Sequence, residues 1–178
     1  MTEILTLEAP ELRFAGDAAT GEFEGYAATW EIVQRYGERV LPGAFKRTLG
    51  EYAAKKRLPP MFWNHNSDEP IGVWTSMVED ARGLKVSGRL VTATPRGAAV
   101  LEWLKAEMPL GMSIGFRSIS DRSVKGIREI AEVDLLEVSV TANPASDNAR
   151  ITKVRNAAEP ARLAAFIEEV RRASTALR

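Results

Sequence analysis

IGVWTSMVEDARGLKVSGRLV, residues 71–91, reads as two β-strands joined by a turn, and this reading decides the class of the fold. IGVWTSMVED and GLKVSGRLV are rich in branched and aromatic side chains, while EDARG between them carries the turn formers. The pattern extends upstream. Residues 3–32 read as two or three strands, and Gly25 within EFEGYAATW marks a bend or bulge. After Pro42, the segment GAFKRTLGEYAAKKR places Phe45, Leu49, Tyr52 and Ala53 at helical spacing. LPPMFWN cannot begin as helix because of its paired prolines, so it enters a strand that ends near His65.

Downstream, TPRGAAVLEWLKAE opens with Thr94 as an N-cap and Pro95 at the first helical position, and its helix should end before Pro109. GMSIGFRSIS follows with a period of two: Met112, Ile114 and Phe116 on one face, Ser113, Gly115 and Arg117 on the other. GIREIAEVDLLEVSVTANPAS holds one or two further strands, with Leu136, Val138 and Val140 expected on one face and Glu137 and Ser139 on the opposite one. EPARLAAFIEEVRRASTAL has the apolar stripe of an amphipathic helix in Leu163, Phe166, Ile167, Val170 and Leu177. The expected fold is therefore mainly β with helices (α+β), a compact barrel or rolled sheet decorated by helices. A regular βαβ alternation is absent. The expected division is a β-barrel domain over residues 1–150 and a basic amphipathic helix or tail over 151–178.

Composition narrows the function. Hydrophobic residues make up 45% and charged residues 27% of 178, the balance of a soluble globular chain. No apolar run approaches the roughly 18 residues of a membrane span. MTEILTLEAPELRF lacks the basic start and apolar block of a secretion signal. With no cysteine there is no disulfide framework and no thiolate metal site or nucleophile. Basic and acidic residues balance at 24 each, which argues against a general nucleic-acid binder. From Arg150 onward, however, seven basic residues face three acidic ones, the pattern of a solvated helical face or of a surface that docks on an acidic partner.

One histidine, His65, lies within MFWNHNSDEPIGVW. Asp68 and Glu69 are near it in sequence, but a zinc site normally gathers several His or Cys ligands, so no metal is expected. Ser113 gives the imidazole a task, since a serine hydroxyl is nearly inert until a base takes its proton. Gly115, next on the same face, would let a substrate carbonyl approach closely, and Arg117 beyond it would help stabilise an oxyanion. A third group normally orients the imidazole. Glu137 interrupts the apolar VDLLEVSV, and Asp134 competes with it; in a regular strand the two face opposite ways, so only one should reach the site.

Taken together, FEGYAATW, RVLPGAFKRTL, PMFWNHNSDEPIGVW, GLKVSGRLV, LGMSIGFRSI and LLEVSVTANPAS, in this order, resemble the prohead proteases of tailed bacteriophages, a family distantly similar to herpesvirus assembly proteases. The resemblance covers residues 12–150. It implies a herpesvirus-protease-like β-barrel and a serine endopeptidase with no cofactor. By motif, Ser113 in MSIGF matches the nucleophile, His65 in WNHN the base and Glu137 in LLEVSV the third member. The resemblance further implies cleavage of the scaffolding portion of the major capsid protein precursor, and of the enzyme itself, inside an immature procapsid in the host bacterial cytoplasm. It also implies restraint before assembly, with a dimer as one device and the stripe of residues 163–177 as one interface. Members often carry a longer C-terminal tail removed by self-cleavage, so the chain is expected to be compact or trimmed. Two rivals stand beside this reading: a non-enzymatic scaffold or capsid-binding module on the same fold, and an esterase built on the same three residues.

Overall fold

A computed structural model describes residues 13–15, 21–30, 33, 37–142 and 151–155. Their nine strands and two helices run β1 (Arg13–Ala15), β2 (Glu22–Thr29), β3 (Glu38–Val40), α1 (Lys46–Ala54), β4 (Met61–Trp63), β5 (Asn66–Glu79), β6 (Gly83–Leu90), α2 (Pro95–Lys105), β7 (Gly111–Val124), β8 (Ile127–Thr141) and β9 (Ile151–Arg155). The hairpin expected over residues 71–91 is β5–β6, and β5 begins earlier, at Asn66. Asp80 makes its turn: Oδ1 accepts from the amides of Arg82 at 2.8 Å and Gly83 at 3.1 Å, while Oδ2 accepts from the Tyr26 hydroxyl at 2.8 Å. This is the local side-chain-to-backbone bonding that favours Asp in turns.

The strands form one sheet in the order β1-β9-β2-β6-β5-β4-β8, with β3 also on β8 and β7 paired along the length of β8. The sheet curls until β7 lies against β2, giving a mainly β half-barrel with helices packed on it. Phe23, Met61, Ile71, Leu84, Met112, Leu135, Val138 and Val140 fill its interior, and Phe23 meets Trp74 edge to face with ring centroids 5.5 Å apart. Such burial is the main stabilising term, roughly 25 cal/mol per Å² of apolar surface removed from water.

Strand β8 organises the molecule. One edge takes β7; the other takes β3 at Arg128–Ile130 and β4 at Val138–Val140, both parallel. The stretch between β3 and β4 bulges. Glu137 pairs with Gly115 and Leu135 with Phe116, so Leu136 is the extra residue and projects outward at 42% exposure. This differs from the expected face shared by Leu136, Val138 and Val140: Leu135 takes the core place instead. A bulge frees backbone groups that still need partners, and α1 with the turn that leads into it supplies partners along this stretch. Thr48 Oγ1 accepts from the Leu135 amide at 3.2 Å, the Tyr52 hydroxyl donates to the Leu135 carbonyl at 3.0 Å, and the Ala44 carbonyl accepts from the Val133 amide at 3.0 Å. Hence the residue α1 buries is Thr48, while Leu49 and Tyr52 are half-buried and Ala53 is exposed.

Helix α2 forms as its sequence directs. Thr94 Oγ1 accepts from the Gly97 amide at 3.1 Å, Pro95 follows, and the helix ends at Lys105; such a cap contributes about 1 kcal/mol. Arg96 binds α2 to the sheet. Its guanidinium lies 5.7 Å from the Trp63 ring and 5.8 Å from the Trp103 ring, and it pairs with Glu69 at 2.7 Å.

The sheet continues past residue 150. Ile151–Arg155 form β9, antiparallel to β2 and parallel to β1, so a boundary at 150/151 falls inside the sheet. The slip in the β2–β9 register comes at Glu24/Gly25, where a bend was expected. The amphipathic helix expected within 159–177 lies outside the described residues.

Candidate active site

His65 stands on a two-residue hairpin turn. Trp63 of β4 pairs with Asn66 of β5, leaving Asn64 (φ +56°) and His65 (φ +63°) as the central residues. Positive φ at both is the demand of a type I′ turn, and Asn and His tolerate that region better than most side chains. The turn is tied to β8 three times. The Asn64 amide donates to the Val140 carbonyl at 2.9 Å, Thr141 Oγ1 donates to Asn64 Oδ1 at 2.6 Å, and the His65 amide donates to Ser139 Oγ at 3.1 Å. The imidazole is thereby carried at a loop tip, its backbone fixed by a central strand.

The ring is held as well. His65 Nδ1 lies 2.5 Å from Glu137 Oε1. An ionised carboxylate only accepts, so the proton sits on Nδ1 and Nε2 of the neutral ring is left with a lone pair. The Glu137 side chain is 11% exposed and that of His65 45% exposed. The hydrogen bond to Glu137 raises the His65 pKa above its ordinary 6.5, burial opposes this, and the charge of Glu137 adds to the rise. The other carboxylate oxygen, Oε2, accepts from Ser139 Oγ at 2.5 Å.

Ser113 lies on β7 directly across from Ser139, buried at 7% exposure. Its hydroxyl makes no hydrogen bond among the described residues, whereas that of Ser139 is fully engaged. The structure thus brings His65 and Glu137 into contact and sets Ser113 opposite the serine that touches both. Gly115 faces Glu137 across the ladder, and the carboxylate occupies the space a side chain there would fill. Arg117 is directed elsewhere: Nη2 pairs with Asp134 Oδ2 at 2.9 Å, and its side chain is 71% exposed. Because of the bulge, Asp134 pairs with Arg117 and Glu137 with Gly115, so both acids share the face of Ser113, contrary to the alternation of a regular strand. It is Glu137 that reaches the imidazole. Asp68 and Glu69 line a cleft of about 540 Å³ with Pro70, Thr94, Pro95 and Arg96, on the strand that leaves the hairpin. Sequence reasoning missed Ser139 as a member of this cluster; its signal was the face it shares with Glu137, two residues away.

A model of the caudovirus prohead serine protease family matches residues 6–162. The chain belongs to that family. Over 165 residues it is 33% identical to the prohead protease of Enterobacteria phage HK97, covering 88% of this chain and 70% of that one. The chain is also similar to the capsid polyprotein of Pseudomonas phage PAJU2, 29% identical over 138 residues, 72% of this chain and 21% of the other. Among solved structures, the capsid assembly protease gp21 of bacteriophage T4 matches with a TM-score of 0.58 at 14% identity, over 69% of this chain and 82% of that one. That likeness is one of fold, and it agrees with the rolled, mainly β architecture.

Proposed function

We propose that this protease is a serine endopeptidase that removes the scaffolding portion of a capsid precursor, and cuts itself, during maturation of the prohead. Ser113 is the nucleophile, His65 the general base and then the general acid, and Glu137 the acid that orients it. The observation that carries this reading is the 2.5 Å contact between His65 Nδ1 and Glu137 Oε1 on the strand that faces Ser113. That contact leaves Nε2 as the ring nitrogen able to take the Ser113 proton and pass it to the leaving amine. Family membership and the names of the relatives, a prohead protease and a capsid polyprotein, support the substrate class. Backbone N–H groups bind the oxyanion. Arg117 would join them only by leaving Asp134. The enzyme works inside the immature shell in the host cytoplasm, with the capsid precursor and its own copies as partners. The division into residues 1–150 and a basic tail is kept in modified form, with β9 assigned to the protease domain.

The test is co-expression with the cognate capsid precursor, followed by intact-mass analysis. Wild-type chain should shorten the precursor at its scaffolding segment, and Ser113→Ala should leave it whole. Cleavage that survives in Ser113→Ala would overturn the nucleophile. Binding without cleavage by wild type in assembled proheads would favour a scaffold module on the same fold.

A further inference from the structure

Ser139 is fully buried on a strand whose neighbouring interior positions are Leu135, Val138 and Val140. A hydroxyl in such a place destabilises the fold unless its hydrogen bonds are made. Both are made, and to two parts of one arrangement. The single hydroxyl proton goes to Glu137 Oε2 at 2.5 Å, and a lone pair of Oγ accepts from the His65 amide at 3.1 Å. Since Glu137 Oε1 meets His65 Nδ1, the contacts close a ring that runs from the His65 backbone through Ser139 and the carboxylate back to the His65 imidazole.

We propose that Ser139 is a positioning residue for hydrolysis, holding the His65 backbone and the Glu137 carboxylate at once so that the imidazole is presented toward Ser113. This rests on the reading of His65, Glu137 and Ser113 given above. With one donor on each oxygen, the carboxylate cannot rotate without losing a charge-assisted hydrogen bond. The amide of a turn residue at φ +63° is likewise kept in place by an acceptor from a central strand. Ser139 does not compete as a nucleophile: its proton is committed to a carboxylate that needs it, and it is inaccessible to a peptide carbonyl. The two serines that face each other across β7 and β8 therefore have divided tasks, one hydroxyl bound and the other unbound among the described residues.

The single histidine makes the test clean, because every imidazole signal in the NMR spectrum of the full chain comes from His65. In ring-¹⁵N-labelled protein, Ser139→Ala should broaden or remove the Nδ1–H resonance that reports the contact with Glu137. On the capsid precursor it should lower kcat by about 10- to 100-fold with KM unchanged, the size of one lost hydrogen bond to a charged group. Ser139→Thr, which keeps the hydroxyl, should recover both readouts. The proposal is overturned if Ser139→Ala keeps the resonance, if it keeps kcat, or if a folded Ser139→Thr does no better than alanine. The resonance is recorded without substrate. A wrong nucleophile would show separately, as cleavage surviving in Ser113→Ala while the resonance still responds to Ser139.

Discussion

A Cβ added to Gly115 would lie 2.3 Å from Glu137 Oε1 and 2.9 Å from its Cγ. The atom most in the way is the end of a side chain that can rotate, so the fold should accept Gly115→Ala, but the rotation takes the carboxylate from His65. The expected outcome is a folded protein with a lowered thermal midpoint, because the buried Ser139 hydroxyl and the carboxylate lose each other, and a fall in kcat/KM of about 10- to 100-fold, the cost of one charge-assisted hydrogen bond. Steady-state cleavage and calorimetry on the same preparation check it; undiminished turnover would show that the carboxylate has another productive position. The sequence suggested a different use for this glycine, an open approach for the substrate, because spacing shows which residues share a strand face but not what lies across the ladder. The same limit explains Leu136 and Asp134. The period of two placed Glu137 with Ser139 correctly, yet the extra residue at 136 is set by the register of β7 and by the partners that Thr48 and Tyr52 offer to Leu135. None of these is written within VDLLEVSV itself.

At the scale of elements, the hairpin that carries His65 depends on Asn64. Its φ of +56° favours Asn or Gly, and its Oδ1 accepts from Thr141. Asn64→Ala meets the left-handed backbone with an unsuited side chain, about 1–2 kcal/mol, and loses that hydrogen bond, worth about 1 kcal/mol. Asn64→Gly keeps the backbone freedom and loses only the second contribution. Urea unfolding should therefore rank wild type above glycine and glycine above alanine; equal losses would show that turn strain contributes nothing. WNHN was legible as a break between two strands, but its turn type was not, because His65 stands where such turns usually carry glycine. Helix α2 was legible to its ends, since Thr94, Pro95 and the approach to Pro109 are local signals. Strand β9 was not: its place depends on pairing with β1 and β2, which are distant in sequence.

For the whole molecule, one histidine and no cysteine leave few side chains to titrate near neutral pH. Among the described residues, His65 is therefore the group expected to dominate changes in both activity and stability there, apart from the terminal amine. Its folded pKa is raised above 6.5, first by the hydrogen bond to Glu137. Hydrolysis needs the neutral ring, so the acid limb of the kcat/KM profile should fall above pH 6.5, with the base unavailable on its low side. Stability runs the other way. A folded pKa above the unfolded one means that the folded state binds the proton more tightly, so the charged pair's contribution is complete below about pH 6.5 and is lost as pH rises through the folded value. The urea midpoint should thus decline across the same interval in which activity appears. Glu137→Gln removes both raising causes and leaves burial, which lowers the pKa. It should move the acid limb to lower pH, reduce kcat, and turn the decline in stability with rising pH into a rise, because a folded pKa below the unfolded one reverses the sign. Measured together, the two profiles should pivot on one pKa; an acid limb that Glu137→Gln leaves in place would assign the essential base to a group other than His65.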